Sequence, residues 1–142
     1  LITEAAGIFG SQSIIGAMDV KKNLFGKPMV YVQQGRKSTK HTPVEYARYL
    51  EELGAGEIFL NCIDDDGKMK GYDVSLFKAV ADAVKVPVIA CGGAGSLEDI
   101  GKVVKEAHVG AAAAGSLFVF WGTNKAVLIN YPDKAKIAAI ID

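Results

Sequence analysis

The stretch Pro87–Gly95, PVIACGGAG, and the Ser96-Leu97-Glu98-Asp99 that follows it narrow the possible folds of this chain more than any other feature. Val88-Ile89-Ala90-Cys91 has the length and apolarity of a buried parallel strand. The run stops at Gly92-Gly93, and Ser96 to Asp99 opens a helix in the S-x-x-D form of a capping box. Strand, glycine turn and capped helix in that order leave backbone N–H groups pointing outward from a helix start. Only glycine lets a bulky anion come that close to the main chain. Taken alone, the stretch is either a phosphate cradle or a tight turn that binds nothing.

A second stretch of the same build favours the cradle. Val109 to Ser116, VGAAAAGS, reads as a small-residue strand ending in Gly115-Ser116, followed by the apolar run Leu117 to Trp121. Ser116 is placed to cap a short helix there. Two consecutive glycine-ended strands with a short extra helix after the second match the phosphate site at the end of (βα)8 barrels.

The rest of the chain fits a parallel α/β unit. Leu1 to Phe9 has helical spacing, and Ser13 to Val20 reads as a strand that reaches Asp19 at its C-terminal end. Lys22 to Pro28 is a turn and Met29 to Gln33 is β-rich, together a hairpin grafted between strand and helix. Arg36 to Lys40 reads as a basic loop. Thr42-Pro43-Val44-Glu45 starts a helix running to Leu53. Glu57 to Ile63 is the next strand, delivering Asp64-Asp65-Asp66-Gly67 into a loop, and Asp73 caps a helix to about Val84. Helix Ser96–Ala107 and the alanine-rich strand follow. The tail, Lys125 to Asp142, holds a β-like AVLIN, a break at Pro132 and a final helical stretch.

Four such βα units are half of what a closed barrel needs. The expectation is therefore either part of a (βα)8 TIM barrel that another chain completes or a smaller open sheet, one domain over residues 1–142 with an inserted hairpin. Its first and last strands are expected to show unpaired edges, and a homodimer that pairs two half-barrels is the simplest way to cover them. The chain lacks an initiator Met, so it is expected to be a fragment of a longer one.

Composition removes several classes of function. Of the 142 residues, 50% are hydrophobic and 23% charged, with a formal net charge of zero. This describes a globular domain with no bias toward nucleic acid or an anionic membrane. No apolar stretch approaches the ~20 residues of a membrane span, and the N-terminus has no signal-peptide pattern. Cys62 and Cys91 form no C-x-x-C pair and sit on apolar runs, which points to buried thiols in a reducing cytoplasm.

Parallel strands bring their C-terminal ends to one face. Asp19, Asn61, Asp64 to Asp66, Gly92-Gly93 and Gly115-Ser116 all fall there. Carboxylates facing a phosphate cradle suit proton transfer on a phosphorylated small molecule, and Asp19 is the sharpest candidate. The Asp64–Asp66 run lacks the spacing of a calcium loop, so no metal is expected, nor any cofactor. His41 and His108 adjoin no Cys or Asp cluster and read as surface histidines. Lys21 and Lys22 read as solvating a loop.

Four motifs in order, FGSQSIIGAMDVK, GAGEIFLNCIDDDGKMKGYD, PVIACGGAGS and AAAAGSLF, resemble the HisF family, the cyclase subunit of imidazole glycerol phosphate synthase. The likeness runs from Leu1 to about Phe120 and covers the C-terminal half of that family's barrel. It implies a lyase that takes ammonia from a glutaminase docked at the N-terminal face of the barrel. That ammonia splits a phosphoribosyl-formimino nucleotide in histidine biosynthesis.

Carried across, Asp19 is one of two catalytic general acid/base aspartates and Asp66 the assisting carboxylate. Asn61 lines the substrate pocket. Gly93, Gly115 and Ser116, with Gly92 in the same turn, hold one substrate phosphate, and Glu57 gates ammonia at the opposite end of its strand. The other catalytic Asp and the second phosphate site belong to the missing half, so this chain alone is expected to be inactive. The loop reads Asp66-Gly67-Lys68 where the family has Asp-Gly-Thr. The end, SLFVFWGTNKAVLINYP, is similar to HisF-like proteins of surface-polysaccharide loci, which implies an alternative role in delivering ammonia for acetamidino-sugar formation. A phosphate-binding half-barrel without catalysis is the remaining alternative.

Overall fold

A computed structural model describes residues 1–122, 124 and 126–141. Lys125 and Asp142, the two ends of the expected tail, lie outside the described residues. The order of the main sheet is β3 (Lys37–Ser38), β2 (Pro28–Val32), β1 (Ile15–Lys22), β4 (Glu57–Cys62), β5 (Val88–Cys91) and β6 (Ala111–Ala113). Within it β1, β4, β5 and β6 are mutually parallel. The sheet is open, and with its interleaved helices it is one part of a TIM barrel rather than a closed one.

Side-chain alternation decides which face is covered. Gly16, Met18 and Val20 of β1, Ile58, Leu60 and Cys62 of β4, and Val88 and Ala90 of β5 are buried. They form one core with Ala47 and Leu50 of α2 (Pro43–Glu52), Phe77 and Val80 of α3 (Val74–Ala81), and Val103 and Ala107 of α4 (Leu97–Ala107). The alternate set, Ile15, Ala17 and Asp19, then Phe59 and Asn61, then Ile89 and Cys91, stays partly or fully accessible. The helices therefore cover one face of the sheet, and that face supplies the core.

The helix starts follow from their caps. Thr42 Oγ1 accepts from the Glu45 N–H at 3.3 Å while Glu45 Oε2 accepts from the Thr42 N–H at 2.8 Å, with Pro43 at the first helical position. Ser96 and Asp99 exchange the same pair of bonds at 3.2 and 3.0 Å, and Asp99 also accepts from the Gly95 N–H. Asp73 accepts from the Leu76 N–H at 3.1 Å. α3 ends at Ala81, earlier than the apolar pattern to Val84 indicated. α1 (Ile2–Phe9) buries none of its residues.

Two edge expectations are corrected. The C-terminal half of β1 is paired on both sides, because β2 (Pro28–Val32) runs antiparallel to it from Asp19↔Tyr31 to Lys22↔Pro28. The basic stretch 36–40 is not all loop: Lys37–Ser38 form β3, which pairs with β2. At the other end, α5 (Ser116–Val119) is followed by the two-stranded ribbon of β7 (Phe120–Trp121) and β8 (Ala126–Val127), then α6 (Lys134–Ile141). Among the described residues no helix is long and apolar enough to cross a membrane.

Candidate functional site

Register aligns four side chains in one rung. Asp19 pairs with Asn61, Asn61 with Cys91, and Cys91 with Ala113. At about 4.8 Å per strand, the rung spans roughly 14 Å along the sheet. All four lie near the C-terminal ends of their strands, on the face the helices leave open. Asn61 Nδ2 donates to Asp19 Oδ1 at 3.2 Å. In that orientation the amide N–H₂ donates and the carboxylate oxygen accepts. The outcome is an oddity: Asn61 Oδ1 is sealed from solvent and has no hydrogen-bond partner among the described residues.

The glycine turns build the far end of the rung. Asp66 and Gly67 from one loop, Gly92 and Gly93 from a second, and Gly115 and Ser116 from a third line a single cleft. Gly92 and Gly93 have φ of 95° and 113°, a region that disfavours any side chain. A Cβ on Gly92 would lie 2.5 Å from the Cys62 carbonyl oxygen, and one on Gly93 would strike the Gly71 carbonyl. Both glycines are thus required by the packing of the turn itself. Gly115 differs: its φ is −109° and a Cβ there meets nothing within 4 Å. The space beside Gly115 is open.

The structure revises some expectations. Ser116 does not cap α5; it is the first helical residue, Gly115 holds the cap position, and no side-chain cap bond forms. Asp64 and Asp65 turn away from the cleft to local partners, Asp64 Oδ2 accepting from the Lys22 N–H at 2.8 Å and Asp65 pairing with Lys68 at 3.9 Å. His108 is not isolated, because folding brings its Nδ1 to 2.7 Å from Asp82 Oδ1, with Lys78 alongside. Glu57 opens β4 on the same face as Asn61, four residues before it, so about 13 Å separates the two. Among the described residues no cluster of His, Cys, Asp and Glu is arranged to hold a metal ion.

Two contributors were hidden in the sequence. Cys91 belongs to both the rung and the cleft, and burial, helped by the nearby Asp66 charge, holds its thiol above the usual range. It is a neutral wall rather than a nucleophile at neutral pH. Tyr72 OH donates to the Ala113 carbonyl at 2.8 Å, tying the loop before α3 to β6. No sequence pattern marks a bond across 41 positions.

A family model described as "Histidine biosynthesis protein" matches residues 1–123. The protein named "Putative imidazole glycerol phosphate synthase subunit hisF2" of Pseudomonas aeruginosa is 50% identical over 137 residues, 96% of this chain and 55% of that protein. One named "Putative imidazole glycerol phosphate synthase subunit hisF3" of Vibrio vulnificus is 49% identical over 140 residues, 96% of this chain and 53% of that protein. "Imidazole glycerol phosphate synthase subunit HisF" of Alkaliphilus metalliredigens is 47% identical over 118 residues, 83% of this chain and 47% of that protein. The chain spans about half the length of the curated relatives it matches.

Proposed function

This chain belongs to the histidine biosynthesis protein family, among its HisF members, and from that premise we propose that residues 1–142 are a single half-barrel domain of an ammonia-dependent cyclase lyase. The observation that carries the reading is the shared rung. Asp19, held by Asn61, stands at one end of it, and the cleft of Asp66, Gly92, Gly93, Gly115 and Ser116 stands at the other.

In this reading the cleft fixes one phosphate of the substrate, which spends the ligand's freedom before chemistry begins. Asp19 then gives and takes the proton as ammonia adds and the nucleotide splits, with Asp66 assisting from the cleft side. Asn61 orients the Asp19 carboxylate. Glu57, at the other end of β4, guards the entry of ammonia handed over by a glutaminase partner docked at that face. Two free thiols suit a reducing cytoplasm as the working compartment. The second catalytic aspartate belongs to the other half of a barrel, so turnover is expected only when that half is supplied. Alone, two copies are expected to pair along the edge of β6 and the N-terminal half of β1 that β2 leaves uncovered.

Asp19→Asn in the complete barrel tests the assignment. Loss of a positioned general acid/base costs about 10²–10⁴-fold in rate, while phosphate binding and folding persist. Unchanged turnover of the formimino nucleotide overturns it.

One observation favours a second reading. Similarity to the relatives named hisF2 and hisF3 runs over 96% of this chain, whereas for the Alkaliphilus HisF it covers 83%, and the family model stops at residue 123. The tail therefore groups this chain with the former. The second reading, which rests on the tail's resemblance to HisF-like proteins of surface-polysaccharide loci, is an ammonia-delivering subunit for acetamidino-sugar formation, and it predicts glutaminase binding without cyclase turnover.

A further inference from the structure

The rung that carries Asp19 continues onto the inserted hairpin. Asp19 pairs with Tyr31 of β2, and Tyr31 pairs with Ser38 of β3. Ser38, Tyr31, Asp19, Asn61, Cys91 and Ala113 therefore form one row across the whole six-stranded sheet. Directly opposed residues share a face, with Cβ atoms about 4.5–5.5 Å apart. Tyr31 thus stands on the face the helices leave open, and Asp19 has a neighbour on each side. Asn61 binds its carboxylate from one side, and Tyr31 flanks it on the other.

As sheet chemistry, a tyrosine opposite an aspartate is a weak choice. Cross-strand stability comes from aromatic and β-branched partners, paired hydroxyls or opposite charges, and this pair is none of these. The position is nevertheless well held. Asn23 Oδ1 accepts from the Phe25 and Lys27 N–H groups at 2.9 and 3.0 Å, closing the turn that brings β2 back along β1. Val30, next to Tyr31, is fully buried, and its N–H donates to the His41 carbonyl at 3.0 Å. The Val30 carbonyl accepts from both the N–H and the hydroxyl of Thr39 at 2.9 Å. Tyr31 itself is half-buried.

We propose that Tyr31 is a positioning residue for Asp19: its ring closes the hairpin side of the carboxylate and keeps it against Asn61. The cleft side is then the approach left to the substrate. Side chains on a strand stand roughly perpendicular to the sheet, so the short aspartate is level with the body of the phenol and the hydroxyl reaches past it. The electropositive edge of an aromatic ring suits contact with an anion, and the role belongs to the ring. It depends on Asp19 being the acid/base group, and it gives the inserted hairpin a part in the chemistry.

The test uses the complete barrel, with its other half supplied, and follows turnover of the formimino nucleotide at saturating ammonia. Tyr31→Thr keeps a strand-forming side chain and removes the ring. Its kcat is expected to fall about ten-fold or more, with KM within about three-fold, as for a misplaced reacting group. Tyr31→Phe keeps the ring and should retain kcat within about three-fold of the parent. Val32→Ala, at the next and exposed position of β2, points to the other face and controls for loosening of the hairpin; its kcat should stay within about two-fold. Tyr31→Val takes the place of the threonine variant should that one fail to fold.

A threonine variant as fast as the parent refutes the role of Tyr31 and leaves the cyclase reading intact. A higher KM at unchanged kcat refutes it too, by assigning Tyr31 to substrate binding. An equal loss in Val32→Ala refutes it by assigning the loss to the hairpin. Tyr31→Phe as slow as Tyr31→Thr moves the effect to the hydroxyl and overturns the wall. If the parent barrel itself leaves the nucleotide unchanged, the cyclase reading falls and the role of Tyr31 falls with it.

Discussion

Asn61 Nδ2 lies 3.2 Å from Asp19 Oδ1, joining two neighbouring strands at the rim, while its own Oδ1 is buried with no partner among the described residues. Burying an unsatisfied acceptor costs about 1–3 kcal/mol, and the hydrogen bond it accompanies returns about 1. The arrangement is a poor bargain for folding and a sensible one for holding a carboxylate in a fixed pose. Asn61→Leu, similar in size, is therefore expected to be as stable as the parent chain or more so in urea unfolding, yet at least several-fold slower in the complete barrel. A stability loss above 2 kcal/mol, with activity intact, contradicts this account of the pair.

The two glycine turns should respond differently to one methyl group. Gly93→Ala meets the Gly71 carbonyl at a φ of 113°, so it is expected to cost about 1–3 kcal/mol and to abolish phosphate binding. Gly115→Ala has room and an ordinary φ. Its stability should stay within about 0.5 kcal/mol of the parent, and any loss of phosphate affinity then reports on the cleft alone rather than on the fold. Calorimetric titration alongside thermal melts separates the two effects.

Alkaline pH should destabilise the fold through groups in the core. Burial pushes the Cys62 thiol from an ordinary value of 9.0 up to about 12, and burial also raises the Tyr72 phenol. Between these two thiol values the unfolded chain has released a proton that the folded chain keeps. Stability is then complete below pH 9 and declines as pH rises toward 12. Cys62→Val should flatten part of that decline without altering the neutral-pH melt by more than about 1 kcal/mol. Cys62 should also resist thiol reagents at pH 8 until the chain unfolds.

The helix starts and the core offer conventional checks. Thr42→Ala removes the acceptor for the Glu45 N–H and should cost about 1 kcal/mol. Phe77, fully buried and set edge-on to Tyr72 at 5.9 Å, should cost about 3–5 kcal/mol when cut to Ala. Equilibrium denaturation measures both.

The parallel units were legible because their signals are local. Thr42-Pro43-Val44-Glu45 and Ser96 to Asp99 announce helix starts within four residues, and the strand runs are bounded by glycine or acidic turns. The features that escaped depend on register. Nothing at Asn61 indicates that it will stand beside Asp19, and nothing at Tyr72 indicates Ala113. His108 looked isolated because Asp82 and Lys78 reach it only once α3 packs on α4. Ser116 looked like a cap by residue type, but the backbone placed Gly115 there instead. The hairpin of Lys22 to Gln33 is local and legible, whereas its cover of half the β1 edge depends on register.

The most direct measurement of the central claim is a phosphate titration followed through backbone amide shifts. The account predicts that the largest changes fall on Gly92, Gly93, Gly115 and Ser116, with smaller ones passing along the rung to Cys91 and Asn61. Changes confined to the lysines of the hairpin, Lys21, Lys22 and Lys27, with the glycine turns unmoved, would contradict it.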